Sequence, residues 1–375
     1  MGYIRYRKDR PKQWLAGFRA PDGSEISKAF DRKIDAQRWL ATQQADQLRG
    51  HWSDPRSGRV SFEQQAAEWM ANRRSQRRTT IARDQSLLRT LVLPTFGRMP
   101  LWSIDINRVE KWVQELVDQG YAPATVQKAF QILGGVLRSA VRSKRLGNDV
   151  TVGVSLPRLE RRERRFLTAE EILALAKTID PRYRLMVLLG GFGGLRFGEV
   201  AALRASSLGI KARTVTVRET VTHVTGKLEI GPPKTRASIR TVALPKFVAD
   251  ELADHAQSLS GQDLLFTAPL GGIISPNTWR GRVWNPAVES LGLDGVTFHS
   301  LRHSQGALLV EQGEHPLVIA RRLGHTSVKT VLDIYGHLFD GIDQEAASRL
   351  DQRVRETGAD QMRTKPMSAI PRHKD

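Results

Sequence analysis

The chain has 375 residues, enough for two or three domains that each bury a core. Lys and Arg number 58 against 39 Asp and Glu, a formal charge of +19 and a pI near 10.6. That balance points to a polyanionic partner, DNA or RNA. The absence of cysteine excludes disulfides, thiolate zinc sites and cysteine nucleophiles. No apolar run reaches the ~18 residues that span a bilayer, so no membrane role is expected, and the expected setting is a reducing cytoplasm. The basic excess is densest in the first 164 residues, which suits a part that grips phosphates ahead of a part with a more specialised task.

In chain order, Tyr3 to Ala20 interleaves apolar and basic residues, and Pro21-Asp22-Gly23 punctuates it like a hairpin turn, so two or three short strands are predicted. A helix follows from about Lys33 to Leu48. The polar stretch Gly50–Gly58, broken by Pro55, reads as a linker. Residues 61–155 read as mostly helical: Phe62–Asn72, Thr80–Leu93, Asn107–Gln119 and Ala124–Lys144 have apolar positions three or four apart, with Asp105 and Thr125 as caps. The run from Leu156 to Arg165 is too charged to pack as core; it is a solvated linker able to track phosphates.

A new unit opens at Thr168-Ala169-Glu170-Glu171, a capping box ahead of Ile172, Leu173, Leu175 and Ala176. Strands are predicted at Thr214–Val217 and Ile239–Leu244, and helices over 276–291, 299–312, 315–323 and 327–334, which makes the region mixed α and β. Beyond it, Ile342–Val354 reads as a weakly amphipathic helix with Ile342, Ala346, Leu350 and Val354 in one stripe, and the tail after about Gly358 reads as disordered.

Several blocks in this last region carry chemistry. Gly194-Leu195-Arg196-Phe197-Gly198-Glu199 puts an Arg at a helix start with an acid three residues on. His299-Ser300-Leu301-Arg302-His303 sets His and Arg on one helix face, Leu323-Gly324-His325 offers an imidazole just past a helix, and Tyr335 stands where a helix gives way to Gly336. Taken singly, each has an ordinary explanation: a structural Arg–Glu pair, surface histidines, a buried tyrosine. In this order and spacing the blocks resemble the two signature boxes of the tyrosine recombinase (phage integrase) family, over about residues 165–345 and more loosely upstream.

The resemblance implies a catalytic set of Arg196, Lys234, His299, Arg302, His325 and Tyr335. Lys234, in Pro232-Pro233-Lys234-Thr235-Arg236, takes the place of the family's hairpin Lys, with Lys227 as competitor. Glu199 and His303 are then supports for the neighbouring Arg and His, and Gln305-Gly306-Ala307 departs from the small-residue order expected after the second Arg. The chemistry wants these groups. A phosphodiester passing to a tyrosine develops charge on its non-bridging oxygens, which paired guanidinium donors meet. A phenol of pKa near ~10 needs a base and cationic surroundings. Bond energy kept in a phosphotyrosine needs neither ATP nor a metal. No phosphate-binding Gly-rich loop is present, and His299 with His303 is a weak zinc candidate without a partner motif, so no cofactor or metal is expected.

The implied architecture is multidomain: a small β-sheet-plus-helix module (1–55) binding arm-type sites, an all-α core-binding domain (61–160), a mixed α+β catalytic domain (165–350) and a C-terminal tail (351–375). A topoisomerase, a two-domain resolving recombinase and a non-catalytic DNA-binding protein are the alternatives. The first two would not need residues 1–55, and the third would not need the Arg, His and Tyr set. Double-stranded DNA with core-type and arm-type attachment sites is the expected partner, bound by a homotetramer in a bacterial, nucleoid-associated setting. An excisionase and a host DNA-bending protein are the further partners that the resemblance implies.

Overall fold

The computed structural model describes residues 2–20, 23–48, 59–73, 75–159, 165–224, 226–233, 235–339 and 342–356, the side chains of 236, 339 and 342–346 excepted. The chain divides into two compact units, 1–162 and 163–375. The expected linker Gly50–Gly58, the middle of the charged run (160–164), Lys234 and the tail from 357 lie outside the described residues.

In the first unit, β1 (Gly2–Tyr6), β2 (Trp14–Arg19) and β3 (Glu25–Phe30) form an antiparallel sheet in the order β1-β2-β3, and α1 (Lys33–Leu48) follows. The registers Gly2↔Phe18 and Phe18↔Ile26 put Phe18 and Ile26 on one face, where they pack with Trp39 and Leu40 of α1. By strand alternation Tyr3, Arg5 and Arg19 share the other face.

A helical core follows. α2 (Phe62–Ala71) starts at a Ser61–Gln64 capping box. α3 (Arg78–Leu87) passes through a π-helical turn, Leu88–Val92, into α4 (Leu93–Phe96), and α5 (Ile106–Asp118) and α6 (Pro123–Arg142) complete the set. Asp105 caps α5 as expected, accepting from Arg108 N at 2.8 Å. Thr125 does not cap α6: the cap position is Ala122, with Pro123 at the first helical position, and Thr125 lies inside the helix. Proline needs no N–H there and its fixed φ suits the first turn. The helix expected to stop at Leu93 continues past Pro94 because the wider π turn moves the carbonyl that the proline ring would strike.

The second unit opens with α7 (Ala169–Thr178), whose Thr168–Glu171 capping box is present as read from the sequence. α8 (Arg184–Gly191) and the short α9 (Phe197–Val200) follow. β4 (Leu208–Gly209) and β5 (Thr214–Val217) come next, then the hairpin of β6 (Thr220–Val224) and β7 (Lys227–Gly231), then β8 (Arg240–Ala243), which pairs antiparallel with β5. α10 (Lys246–Ala256) precedes the helical stretch expected over 276–291. That stretch is α11 (Pro276–Trp279), a second π turn (Arg280–Trp284) and α12 (Asn285–Ser290), again just ahead of a proline, Pro286. α13 (Phe298–Glu311), α14 (Pro316–Leu323), α15 (Lys329–Tyr335) and α16 (Ile342–Glu356) complete the unit. α16 runs across the boundary drawn at residue 350, because its charged sequence continues without a breaker as far as Glu356. Among the described residues no helix is long and apolar enough to cross a membrane.

The core of this unit positions the signature blocks. Phe197, next to Arg196, meets Phe298, next to His299, edge to face at 5.4 Å between centroids, and both touch Trp279. Trp284 is 1% exposed, packs on Trp279 and Phe298, and donates from Nε1 to Val296 O at 2.9 Å. Trp284→Ala should cost about 3–5 kcal/mol of unfolding free energy and loosen the start of α13, as urea denaturation of the full chain would measure.

Candidate active site

Arg196 stands at the cap position of α9, after the turn formed by Gly194 at φ 66°, a conformation that favours glycine. Its guanidinium donates to Glu199 Oε1 at 2.7 Å, and Glu199 Oε2 accepts the Arg196 backbone N–H at 3.0 Å. Both oxygens of the same carboxylate also accept from Arg240, at 3.2 and 2.9 Å. Glu199 is 2% exposed. Burial alone pushes its carboxyl up, but hydrogen bonds and charge from Arg240, then the backbone and charge of Arg196, outweigh this and hold it below the usual range.

Arg302 is 1% exposed. Its guanidinium donates to the carbonyl of Gly194 and, through Nη2, to the carbonyl of Leu323. Burial, then the neighbouring Arg196 and Arg240, lower its pKa to about 9, still above neutrality. Arg240 donates from Nε to Arg322 O at 2.7 Å, so two carbonyls at the end of α14 are met by cations, the favourable sign for a helix C-terminus.

His325 follows Gly324, which ends α14 in the left-handed conformation at φ 64° and redirects the chain. The His325 backbone N–H donates to Ala320 O at 2.9 Å. Burial and the charges of Arg302, Arg196, Arg240 and His299 lower the imidazole to about 4, so it is neutral at pH 7. Because its folded pKa lies below the ~6.5 of a free histidine, the unfolded chain binds the extra proton between these values, and this group's contribution to stability falls as pH drops from about 6.5 towards 4.

Tyr335, the last residue of α15, has no exposed surface. Phe166 lies 5.9 Å from its ring, and its hydroxyl is 3.2 Å from His303 Nδ1. His299 is exposed and meets His303 edge to face at 4.6 Å.

Five of the six residues singled out from the sequence, Arg196, His299, Arg302, His325 and Tyr335, therefore gather around α13 and the ends of α9, α14 and α15. Lys234 lies outside the described residues, and Lys227 opens β7 with an exposed side chain. Sequence reasoning missed Arg240, whose side chain is 6% exposed. The signal was there: Arg240 shares a face of its strand with buried Val242, a place where an unpaired cation would be costly. His303, read as a support, contacts the tyrosine hydroxyl directly. The cluster sets three guanidiniums against one carboxylate, a surplus suited to an anion with several oxygens.

Comparison with known proteins gives the family. Residues 165–341 match the model of the phage integrase family and residues 62–155 that of the phage integrase central domain. A putative prophage phiRv2 integrase of Mycobacterium tuberculosis is 26% identical over 365 residues, covering 93% of this chain and 95% of its own length. The ICEBs1 integrase of Bacillus subtilis is 26% identical over 272 residues, covering 68% of this chain and 73% of its own. Among solved structures, a Tn1549 transposon integrase fragment in complex with a circular intermediate DNA superposes with TM-score 0.68 at 17% identity, over 78% of this chain and 99% of that one. A lambda integrase tetramer bound to a Holliday junction gives 0.57 at 18% identity, over 88% and 96%. With both family domains matched in order on a shared fold, the chain belongs to the phage integrase family, the tyrosine-type site-specific recombinases.

Proposed function

We propose that Tyr335 attacks the scissile phosphate of an attachment site, forming a 3′-phosphotyrosyl link while the 5′ oxygen leaves. The observation that carries this reading is the gathering of Arg196, Arg302, Arg240 and His325 beside one buried tyrosine. Arg196 and Arg302 offer paired donors to the non-bridging oxygens, and neutral His325 adds a single N–H. Arg240 and Glu199 orient Arg196 and share its charge. Lys234 is the proposed acid for the leaving oxygen, and His299 a proton-holder on the solvent side of His303. No cofactor is required, since the bond energy stays in the phosphotyrosine.

The upstream residues grip the duplex in this reading. Arg5 and Arg19, on the sheet face away from α1, would meet phosphates of arm-type sites, and the helical core (61–160) would meet the core site. The bound lambda integrase tetramer supports a tetramer on DNA as the working assembly, integrating and excising a phage or mobile element with an excisionase and a host DNA-bending protein as accessory partners. A stripe on α16 supports contact between neighbouring subunits: Leu350 and Val354 are 66% and 47% exposed, so neither packs on its own unit.

Tyr335→Phe should bind core-site DNA normally yet leave a nicked suicide duplex uncut, and the native chain should cut it in EDTA without ATP. Cutting by the Phe variant, or a strict need for magnesium, would sink the reading. Arg196→Lys should keep its fold, as its side chain is 37% exposed, and lose about 10²–10³ in cleavage rate. Arg302→Lys should lose stability as well, because one ammonium cannot reproduce a fork held by two carbonyls; thermal melts beside single-turnover rates would separate the two. Truncation after Leu338 should preserve single-site binding and abolish synaptic complexes in gel-shift assays, and unchanged synapsis would reject docking on a neighbour.

A further inference from the structure

The nucleophile rests on a face of α13 that the catalytic reading above leaves unused. The Tyr335 hydroxyl lies 3.2 Å from Nδ1 of His303. Three residues on, a Cβ added to Gly306 would fall 2.3 Å from the hydroxyl oxygen and 2.4 Å from Cζ. Real carbon atoms do not approach so closely, so the phenol occupies the space that any side chain at 306 would fill. His303 and Gly306 share one face of the helix, and Gly306 belongs to Gln305-Gly306-Ala307, where the sequence departs from the order expected of the family. Tyr335 has no exposed surface, so it must shift to meet a phosphate, and His303 is an acceptor already within hydrogen-bond reach of its proton.

We propose that His303 is the base that takes the Tyr335 proton during strand cleavage, and that Gly306 is the positioning residue whose missing side chain lets the hydroxyl reach it. The inference rests on Tyr335 as nucleophile and differs from the usual expectation in placing His303, ahead of His299, next to the reacting oxygen.

The step balances. His303 starts neutral with its proton on Nε2 and a lone pair on Nδ1. As the Tyr335 oxygen bonds to phosphorus, its proton moves to Nδ1 and His303 becomes an imidazolium. The bond from phosphorus to the 5′ oxygen breaks, and that oxygen takes a proton from the separate acid assigned to Lys234. Rejoining runs the same transfers backwards, the 5′ hydroxyl giving its proton to that acid and His303 returning its own to the phenol. Among the described residues, the charged and titratable groups near His303 include His299 and Arg302 on its own helix, Tyr335 on α15, and His337, which stacks on the Phe166 ring that lies against Tyr335. Arg196, Arg240 and His325 surround Arg302 beyond them. His299 is exposed and touches the His303 ring, so the imidazolium has a neighbour open to water.

The test is single-turnover cleavage by the full chain of a nicked suicide duplex, built on the crossover sequence at the junctions of the chain's own element. Two versions of the duplex are used, one with the ordinary scissile bond and one with sulfur in place of the bridging 5′ oxygen. Sulfur leaves as a thiolate without an acid, so the second substrate isolates the proton of the nucleophile. His303→Gln, which keeps a hydrogen-bonding group but takes no proton, should slow both substrates by about 10²–10⁴. Its pH–rate profile should differ from that of the native chain, because the group that takes the proton is gone. Gly306→Ala should slow both substrates while binding the duplex as the native chain does. A native rate for His303→Gln overturns the proposal, as does rescue of that variant by the sulfur substrate, or a lowered rate with the native pH profile. Tyr335→Phe is run in parallel: if it cuts, the nucleophile assignment itself has failed, whereas an inert Tyr335→Phe beside a fully active His303→Gln removes only the role of His303.

Discussion

A single buried guanidinium holds the candidate site together. Arg302 projects from α13 and reaches the carbonyl of Gly194, two residues before Arg196, and the carbonyl of Leu323, two residues before His325. Three segments far apart in the chain are thus fixed through one rigid fork, a task that suits the planar geometry of arginine. Taking this charge out of water is costly, and the hydrogen bonds to both carbonyls offset part of that cost. Gly194 and Gly324 make the arrangement possible, since each turns the chain in a left-handed conformation beside one of the carbonyls that Arg302 holds.

Around that anchor the charges are arranged to remain unbalanced. Glu199 accepts from both Arg196 and Arg240 and keeps two cations close together, yet it neutralises only part of the guanidinium charge. The excess shows in His325, pushed down to about 4 by burial and by the surrounding arginines. An arriving phosphate would supply the missing negative charge, and by the same coupling would favour protons on the groups around it. In the proposed reaction, charges already fixed in this way would spare reorganisation when the phosphate binds.

The aromatic core beneath carries this arrangement mechanically. Phe197 and Phe298 sit next to Arg196 and His299 and pack on each other and on Trp279, so the spacing between the two signature blocks is set by ring contacts in the core. Close-packed rings have little freedom to shift, so the first helical turns of α9 and α13 keep their separation. Gly306 continues the same logic farther along α13, where an absent side chain rather than a bulky one sets the position of the tyrosine.

Much of this was legible in the sequence because it rests on local rules. Helix periodicity placed α1, α2, α5 and α13 within a residue or two, the Thr168–Glu171 box and the Asp105 cap were readable from residue type and spacing, and the order of the Arg, His and Tyr blocks identified the candidate site. Local rules failed where a neighbour in space decided the outcome. Periodicity ended the helix at Leu93, but the chain continues through a π turn and past Pro94, and Thr125 resembled a cap until Pro123 started the helix earlier. Arg240 carried a readable sign, its place on the buried face of a strand, but its partner Glu199 lies 41 residues away and only the fold joins them. His303 and Gly306 are the clearest case. In the sequence one is a histidine beside an arginine and the other a small residue out of its usual order. Folding lays the ring of Tyr335 across both, because a contact between helices depends on the shape of two surfaces, and no spacing within either segment records it.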